Sequence, residues 1–283
     1  MENTRTVKRL IKSVAVTEGA GVHLKRAFSH HQAGETDPFL MLDEFHSDNP
    51  EEYKAGFPYH PHRGIDTITY MLAGKITHSD NQGNEGVIGP GDVQWMTAGS
   101  GIVHQEMPEG DKNGELWGLQ LWVNLPASHK MTEPKYRGIK SEQIPGAHTA
   151  NGTFIKVICG DVEGMHGPVE NITTEIEYVD VRIPANGSFR HYTEKEYTVL
   201  AYVLEGKAKM HPELGPFADS GSLAIFEHDY WVEIKAEEEN ARILLMVGKP
   251  LNEPIAWMGS VVMNTEEEAR QAFEEYREGT FAK

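Results

Sequence analysis

The sequence predicts an all-β protein of two related jelly-roll-type barrels packed together, followed by a C-terminal α-helix. Three observations lead to this fold class: apolar runs of strand length separated by turn residues, an internal repeat, and one helical pattern near the end of the chain. The chain has 283 residues, of which 39% are hydrophobic, so it is long enough to bury two cores of ordinary size.

Runs typical of β-strands fill residues 14–125. They are rich in β-branched and aromatic residues and are separated by Gly, Pro, Asn and Asp; the runs are VHLKRAF, FLMLDEF, DTITYML, DVQWMTA and LWGLQLWVNL. In the last run Leu119, Leu121 and Val123 alternate with Gln120 and Trp122, which is the period of a strand with two different faces. We therefore expect a first antiparallel domain over residues 1–130.

Residues 131–152 are polar and rich in Pro and Gly, and their length favours a domain linker over a loop inside one domain. Similar strand-like runs resume after this stretch: TFIKVICG, TEIEYVDVRI, EYTVLAYVLEG, GSLAIFEH, YWVEIKA and ARILLMVG. A second β domain is therefore predicted over residues 153–283.

One segment near the end of the chain, NTEEEARQAFEEYREGT, has the pattern of an α-helix. Thr265 and Glu268 form a capping box at its start, and Gly279 is placed to end it. The apolar stripe consists of Ala269, Ala272, Phe273 and Tyr276. We expect the helix to pack this stripe on a barrel and to belong to the second domain.

The composition limits the classes of function. Lys and Arg number 26 against 43 Asp and Glu, and the resulting net charge of −17 disfavours direct nucleic-acid binding. The single cysteine, Cys159, allows no intrachain disulfide and lies in an apolar run, where a buried thiol is more common than a nucleophile. No stretch approaches 18 apolar residues, so we expect no membrane contact and a cytoplasmic protein, or a nuclear one if the source is eukaryotic.

Two pairs of residues have the spacing of metal ligands. His60 and His62 stand in YHPHRG, and His104 and Glu106 stand in GIVHQE. On a β-strand, an i, i+2 spacing points both side chains to the same face. Three imidazoles and one carboxylate suit a divalent transition metal better than Ca²⁺ or Mg²⁺. With 14 histidines, about 0.7 His-x-His triplets are expected by chance, so the second pair carries most of the weight.

The internal repeat joins ITYMLAGKITH, from Ile68, to LAYVLEGKAKM, from Leu200, at an offset of 132, and GPGDVQWM to DSGSLAIF at an offset of 130. These offsets place the four candidate ligands on residues that do not repeat the ligand set: His60 on Tyr192, His62 on Glu194, His104 on Ile234 and Glu106 on Ala236. The second domain is therefore predicted to keep the strands of the first without its metal site.

HPHRGIDTITYMLAG, followed by GPGDVQWMTAGSGIVHQEMP, resembles the signature of the pirins, which are two-domain cupins, and FLMLDEF is similar to another pirin segment. The resemblance is dense over residues 36–125. It implies that each barrel is a cupin domain and that His60, His62, His104 and Glu106 are the four metal ligands. Asp66 lies close to the position from which many other cupins take a carboxylate, and here it is expected to support the ligands or the fold.

The resemblance also implies a cofactor and a function. The expected cofactor is one divalent transition metal, usually Fe²⁺, with Mn, Ni, Co, Cu or Zn as alternatives. Some pirins resemble quercetin 2,3-dioxygenases, which open a flavonol ring with O₂ and release CO. Others are iron-containing, redox-responsive transcription cofactors that act through protein partners. A cupin isomerase or lyase that uses the ion as a Lewis acid is a third class.

An octahedral metal with four protein ligands keeps two positions open for a flavonol and O₂. Glu106 is then either the base that takes the proton of the flavonol 3-hydroxyl or a ligand only, and both roles stay open. Phe57, Trp95 and Met96 either line an apolar pocket or belong to the barrel core. Arg63 either pairs with Glu or Asp at the pocket rim or, as we expect more often, forms a salt bridge at the surface or between domains. The remaining histidines, among them His30, His31 and His78, have no assigned role.

Overall fold

The computed structural model describes residues 3–282 except 212 and 214. Strands dominate it, which confirms the all-β prediction. Up to residue 148 the elements are β1 (Val7–Lys12), β2 (Val14–Glu18), β3 (Val22–Phe28), α1 (Ala33–Thr36), β4 (Phe39–Ser47), β5 (Phe57–His62), β6 (Ile65–Ala73), β7 (Lys75–Asp80), β8 (Glu85–Ile88), β9 (Val93–Thr97), β10 (Ile102–Glu109), β11 (Leu116–Asn124), β12 (Lys135–Ile139) and β13 (Gly146–His148).

The elements after residue 148 are β14 (Phe154–Cys159), β15 (Asp161–Val162), β16 (Met165–His166), β17 (Ile176–Ile183), β18 (Ser188–Tyr192), β19 (Thr198–Glu205), β20 (Lys207–Lys209), β21 (Phe217–Asp219), β22 (Ser222–Phe226), β23 (Trp231–Ala236), β24 (Ala241–Gly248), β25 (Ala256–Met258), β26 (Val261–Met263) and α2 (Glu266–Glu278). Single 3₁₀ turns lie at Pro50–Glu52, Ala127–His129 and Ser141–Gln143.

The chain forms two compact units. The first barrel comprises Ala15–His31, Phe39–Ser141 and the chain from Leu251 onward, and the second barrel comprises the chain up to Val14, Gln32–Pro38 and Glu142–Pro250. The predicted boundaries, 1–130, 131–152 and 153–283, run continuously along the chain, and the compact units depart from them at both ends. β1 belongs to the second barrel, and α2 belongs to the first.

The predicted linker at 131–152 contains an edge strand of each barrel. β12 pairs with β9 in the first barrel, and β13 pairs with β14 in the second. The division between the units falls between Ser141 and Glu142, inside this stretch. Edge strands satisfy their backbone groups on one side only, so a short polar segment can serve as one without an apolar pattern.

Each barrel consists of a seven-stranded and a four-stranded antiparallel sheet. In the first barrel the strand orders are β12-β9-β6-β11-β4-β3-β2 and β5-β10-β7-β8; in the second they are β1-β22-β19-β24-β17-β14-β13 and β18-β23-β20-β21. The two orders correspond strand by strand, which confirms the internal repeat. The matched turn glycines agree too, since Gly74 and Gly206 have φ of +70° and +71°, a conformation that side chains with a Cβ rarely adopt.

The apolar core of each barrel lies between its two sheets. In the first barrel Phe45 and Met71 of the large sheet pack with Ile76 and Ile88 of the small one. In the second barrel a larger core includes the following residues: Val179, Val181, Ala201, Ala224, Ile234, Ala236 and Leu245. Cys159 is buried, as expected. Alternate residues along each strand thus form the two cores.

Helix α2 agrees with its predicted limits. The Thr265 side chain accepts from the backbone N–H of Glu268 at 3.2 Å, the backbone N–H of Thr265 donates to the Glu268 carboxylate at 2.9 Å, and Gly279 ends the helix with φ +73°. Its buried stripe packs on the hairpin β25–β26 and on Val103 of the first barrel. Tyr276, the last member of the predicted stripe, is 36% exposed. No helix among the described residues is both long and apolar enough to cross a membrane.

Candidate metal centre

Strands β5 and β10 bring three of the predicted ligands together. They are antiparallel neighbours in the small sheet of the first barrel, with His104 opposite His60 and Ile102 opposite His62. The Nε2 atom of His60 lies 2.9 Å from Nε2 of His62 and 3.1 Å from Nε2 of His104. The ligand atoms of the three histidines all lie within 4.8 Å of one another. The i, i+2 spacing on a strand therefore produces the predicted convergence.

The spacing of the three nitrogens is compatible with a divalent metal. A metal–nitrogen bond to histidine is about 2.1 Å long, so two nitrogens that bind at right angles are about 3.0 Å apart, and two in a tetrahedron are about 3.4 Å apart. The 2.9 and 3.1 Å spacings around His60 match the right-angle case. This geometry fits His62 and His104 each at a right angle to His60 around an octahedral ion and leaves the other positions to further ligands.

The protonation of the cluster also suits a metal. Burial, and then the neighbouring imidazoles, lowers the pKa of His62 and of His104 well below the usual value for histidine. Both rings are therefore neutral at physiological pH, which is the form that binds a metal ion. His60 is the one ligand of the three that is partly exposed, so the cluster meets solvent on its side.

Glu106 lies on the same strand as His104, inside the barrel. Its carboxylate accepts hydrogen bonds from Nε2 of Gln120 at 3.0 and 3.2 Å and from the Thr69 hydroxyl at 3.5 Å. Burial raises the pKa of Glu106, while His60 and these two donors oppose the rise. The register between β10 and β5 shifts between His104 and Glu106. The mutually close group comprises the three histidines only, so ligation by Glu106 stays a prediction.

Glu106 is held by a polar row that crosses the large sheet of the first barrel. Gln94, Thr69 and Gln120 lie directly opposite one another on β9, β6 and β11. The patterns within single strands did not indicate this row. The signal was present in the repeat, because the matching row of the second barrel is apolar and consists of Ala224, Ala201 and Leu245. Only a comparison of the repeats face by face reveals the difference.

His78, which had no assigned role, lies inside the same barrel. It stands opposite Glu106 in the pairing of β7 with β10, and the amide of Gln94 contacts its ring nitrogens. Its ring stacks on Tyr136, with 5.7 Å between ring centroids. Burial lowers the pKa of His78, so the ring is neutral. The interior beside the histidine cluster is therefore polar and carries little positive charge.

Asp66 and Trp95 form a pair on the other face of the large sheet. The indole N–H of Trp95 donates to the Asp66 carboxylate at 2.9 Å, and both side chains are buried. Burial raises the pKa of Asp66 to about 6. Because side chains alternate along a strand, Asp66 faces away from Thr67 and Thr69, which point into the barrel. Asp66 is therefore a structural residue, in line with one of its two predicted roles.

The other two residues considered for a pocket differ in position. Met96 lies two residues after Gln94 on β9 and shares its face, whereas Trp95 between them does not. Phe57 packs against the apolar core of the first barrel. Trp95 and Phe57 are thus part of the fold, and Met96 alone of the three is on the face that carries the polar row.

Arg63, directly after the His-x-His motif, forms the expected ion pair with an acidic residue, but inside the first barrel and not at the surface. It is 3% exposed, and its guanidinium lies 2.7 Å from the Glu275 carboxylate of α2. It also donates to the backbone oxygens of Ser100 at 2.6 Å and Phe281 at 3.0 Å. The motif itself could not show this partner, because Glu275 is more than 200 residues away in the chain. Arg63 therefore fixes α2 beside the ligand strand.

The hairpin β25–β26 is attached to the same strand. The hydroxyl of Ser260 donates to the backbone oxygen of Pro61, which lies between the two histidine ligands. The backbone N–H of Val262 donates to the backbone oxygen of Arg63 at 3.1 Å. The buried ammonium of Lys130 donates to oxygens of Gly64, Asn124 and Val262 at 2.9, 2.7 and 2.8 Å. The end of the chain thus forms part of the wall around the candidate site.

The prediction for two counterparts in the second barrel was wrong. The strand register gives the following correspondences: His60 with Phe189, because these lie opposite His104 and Ile234, and His62 with His191, because these lie opposite Ile102 and Val232. The residues proposed from the repeat offset were Tyr192 and Glu194. The cause is the connection from β5 to β6, residues 63–64, whose counterpart from β18 to β19 spans residues 193–197. This counterpart is three residues longer, so the offset of the repeat does not apply to the strands before it.

The second barrel therefore keeps one histidine of the motif and none of its surroundings. Nε2 of His191 lies 2.6 Å from the Glu177 carboxylate, and Phe189, Ile234 and Ala236 are part of the apolar core. No group of three metal-binding side chains other than His60, His62 and His104 occurs among residues 3–211, 213 and 215–282.

Comparisons with known proteins extend over both barrels. Residues 21–123 match the family model described as Pirin, and residues 178–282 match that of the Pirin C-terminal cupin domain. A pirin-like protein of Caulobacter vibrioides is 42% identical over 98% of this chain and 99% of its own, and Pirin-1 of Arabidopsis thaliana is 40% identical over 98% and 95%. A solved structure, quercetin 2,3-dioxygenase from Acinetobacter baumannii, superposes with a TM-score of 0.90 at 31% identity over 98% of both chains.

Proposed function

The chain belongs to the pirin family of two-domain cupins, and on that basis we propose that it is a metal-dependent dioxygenase. Its substrate is a flavonol of the quercetin type, whose central ring it opens with O₂ to give a depside and CO. The observation that carries this proposal is the convergence of three imidazoles, beside which lies a buried carboxylate of raised pKa. The similarity to a quercetin 2,3-dioxygenase supports the choice of substrate.

The three histidines hold the metal, and we favour Fe²⁺. When bound, a divalent ion acidifies a hydroxyl group that it coordinates and, if it is redox-active, allows reaction with O₂. The cluster meets solvent on the side of His60, so a flavonol approaches there with its 3-hydroxyl leading. The spacings match right-angle ligation, so the three histidines would hold the ion from one side and would leave it accessible to the substrate.

Glu106 takes the proton of the flavonol 3-hydroxyl. Because burial raises its pKa, the carboxylate has a higher proton affinity than an exposed glutamate, which suits a general base. Gln120 and Thr69 fix its orientation by hydrogen bonds to the carboxylate oxygens. The polar row therefore serves the reaction by holding Glu106 in place, and its absence from the second barrel confines the reaction to the first.

The test is to load the chain with one metal at a time, add quercetin under air, and follow CO together with the loss of flavonol absorbance. We expect turnover with at least one of iron, manganese, nickel, cobalt and copper. The matched control pair is His104→Ala, which removes a ligand, and His129→Ala, which removes an exposed histidine of a 3₁₀ turn. A chain that binds these metals and turns over quercetin with none of them is not this enzyme.

A further inference from the structure

A series of aromatic rings leads from the histidine cluster to the surface of the first barrel. The rings of Trp122 and His62 meet edge to face, with 5.2 Å between centroids and 90° between planes. Trp257 stacks on Trp122 at 5.8 Å with 30° between the planes, and the exposed His30 meets Trp257 at 6.1 Å. Trp122 is 7% exposed, Trp257 is half-buried and His30 is exposed, so the exposure of the rings increases with distance from the histidine cluster.

Trp257 is held in this orientation by its own hairpin. Its indole N–H donates to the backbone oxygen of Gly259 at 2.8 Å, so the polar atom of the ring is satisfied locally. The turn that contains Gly259 is anchored at Ser260, which donates to Pro61 between the two ligands of the motif. The apolar ring of Trp257 is therefore held at a fixed position beside the site, which is what stacking requires.

Trp122 is connected to the proposed base. Its indole N–H donates to Oε1 of Gln120 at 3.2 Å, and the amide of the same Gln120 donates to Glu106. One side of Trp122 thus faces His62 and another is linked through Gln120 to the carboxylate. A ring system that lies along Trp257 and Trp122 is directed toward the metal ligands and toward Glu106 together.

We propose that Trp122 and Trp257 form the surface on which the flat ring system of the substrate stacks, and that Trp257 sets the preference for planar over twisted flavonoids. This inference rests on the proposed function. A flavonol has a double bond between C2 and C3 that keeps its rings conjugated and nearly coplanar. Its 2,3-dihydro derivative carries hydroxyl groups at the same positions, but its central ring is puckered and its 3-hydroxyl is an alcohol instead of an acidic enol. It therefore stacks less well, and the effect of each substitution is compared with the wild type for each compound separately.

The experiment measures dissociation constants of the metal-loaded full chain for quercetin and for dihydroquercetin by equilibrium dialysis without oxygen, so that binding is separated from turnover. We expect Trp257→Leu to weaken quercetin binding about five- to tenfold and dihydroquercetin binding much less. Trp257→Phe keeps an aromatic ring and should retain most of the affinity. The matched control is Trp231→Leu, since Trp231 is equally half-buried on a strand of the second barrel.

The outcomes separate the stacking surface from the reaction. The stacking role is overturned if Trp257→Leu weakens the binding of both compounds equally. It is also overturned if Trp257→Leu and Trp257→Phe weaken quercetin binding equally, because the aromatic ring at this position then makes no difference. Unchanged affinity in Trp257→Leu also overturns it, even when the chain turns over quercetin. The predicted selectivity without any turnover under air supports the stacking surface and refutes the proposed reaction. Melting temperatures of the variants identify any loss of affinity that comes from unfolding.

Discussion

The guanidinium of Arg63 and the carboxylate of Glu275 lie 2.7 Å apart, and they join the residue after the His-x-His motif to the helix near the end of the chain. The side chain of Arg63 is 4% exposed and that of Glu275 is 23% exposed. A buried guanidinium that loses its carboxylate keeps the cost of desolvation without the attraction that offsets it. The stability of the first barrel therefore depends on an ion pair that spans most of the sequence.

We predict that Glu275→Gln lowers the free energy of unfolding by about 2 kcal/mol, less than the 3–5 kcal/mol typical of a fully buried pair because Glu275 is partly exposed. Urea unfolding followed by tryptophan fluorescence measures the change. Glu274→Gln, at the exposed neighbouring position, is the control and should have an effect near zero. Similar effects of the two substitutions would show that helix charge, and not the pair with Arg63, determines the result.

Replacing His104 with Ala is expected to abolish metal binding. His104 supplies one of three converging nitrogens, and loss of a group that merely orients a ligand already weakens metal affinity about 10- to 100-fold. Metal analysis after dialysis gives the occupancy, and circular dichroism checks that the strands persist. Retention of stoichiometric metal by His104→Ala would contradict the assignment of His104 as a ligand, whereas loss of metal from His129→Ala would point to non-specific binding.

Gln120→Leu is expected to shift the pH dependence of turnover toward higher pH. The amide of Gln120 donates to the Glu106 carboxylate and opposes the rise in its pKa that burial causes. Without this donor the pKa of Glu106 rises further, so the base is deprotonated only at higher pH and the acidic limb of kcat/KM moves up. The control is Gln105→Leu, at the adjacent position on β10, where the amide donates to Ser79 instead. An unchanged limb in Gln120→Leu would argue that Glu106 is not the base.

Asp66→Asn is expected to stabilise the chain at neutral pH. The pKa of Asp66 is about 6 in the folded chain and near 3.8 when unfolded, so the folded state binds more protons between these values. The free energy of unfolding of the wild type therefore falls as pH rises from about 4 to about 6 and stays lower above that range. Removing the ionisable group removes this loss, and we expect a gain of about 2 kcal/mol at pH 7.5.

The measurement for Asp66 is urea unfolding at pH 5.0 and pH 7.5. Asp111→Asn provides a control of opposite sign, because the backbone N–H groups of Glu115 and Asn113 lower the pKa of Asp111. That substitution should reduce stability at neutral pH. A wild-type stability that rises steadily between pH 4 and pH 6, with no gain in Asp66→Asn, would show that Asp66 stays ionised within the fold.

Local patterns predicted the strands, the capping box of α2 and the three histidines, because each depends on residues that are close in sequence. The spacing of His60 and His62 is sufficient to give them one face of β5, and the alternation in β11 placed Gln120 and Trp122 together. These features need no knowledge of neighbouring strands. They account for most of the fold and for the centre of the site.

Features that depend on strand pairing were not predictable in the same way. The partner of Arg63 is on a helix that the sequence assigned to the other domain, and the polar row becomes visible only when three strands are aligned side by side. The counterparts of His60 and His62 were misplaced because a repeat offset holds only until the next insertion. Each miss concerns residues far apart in the chain whose contact is set by the sheet order.

The assignment of the chain from Leu251 onward to the first barrel has a consequence for the order of events during synthesis. About 110 residues of the second barrel are translated after Ser141 and before the hairpin that binds Pro61. At bacterial or eukaryotic rates of about 5–20 residues per second, this is a delay of about 5–20 s. The histidine ligands are thus synthesised well before Trp257 and before Val262, whose backbone oxygen accepts from Lys130. During this delay the nascent first barrel lacks the part of its wall that the chain from Leu251 onward forms around the ligands.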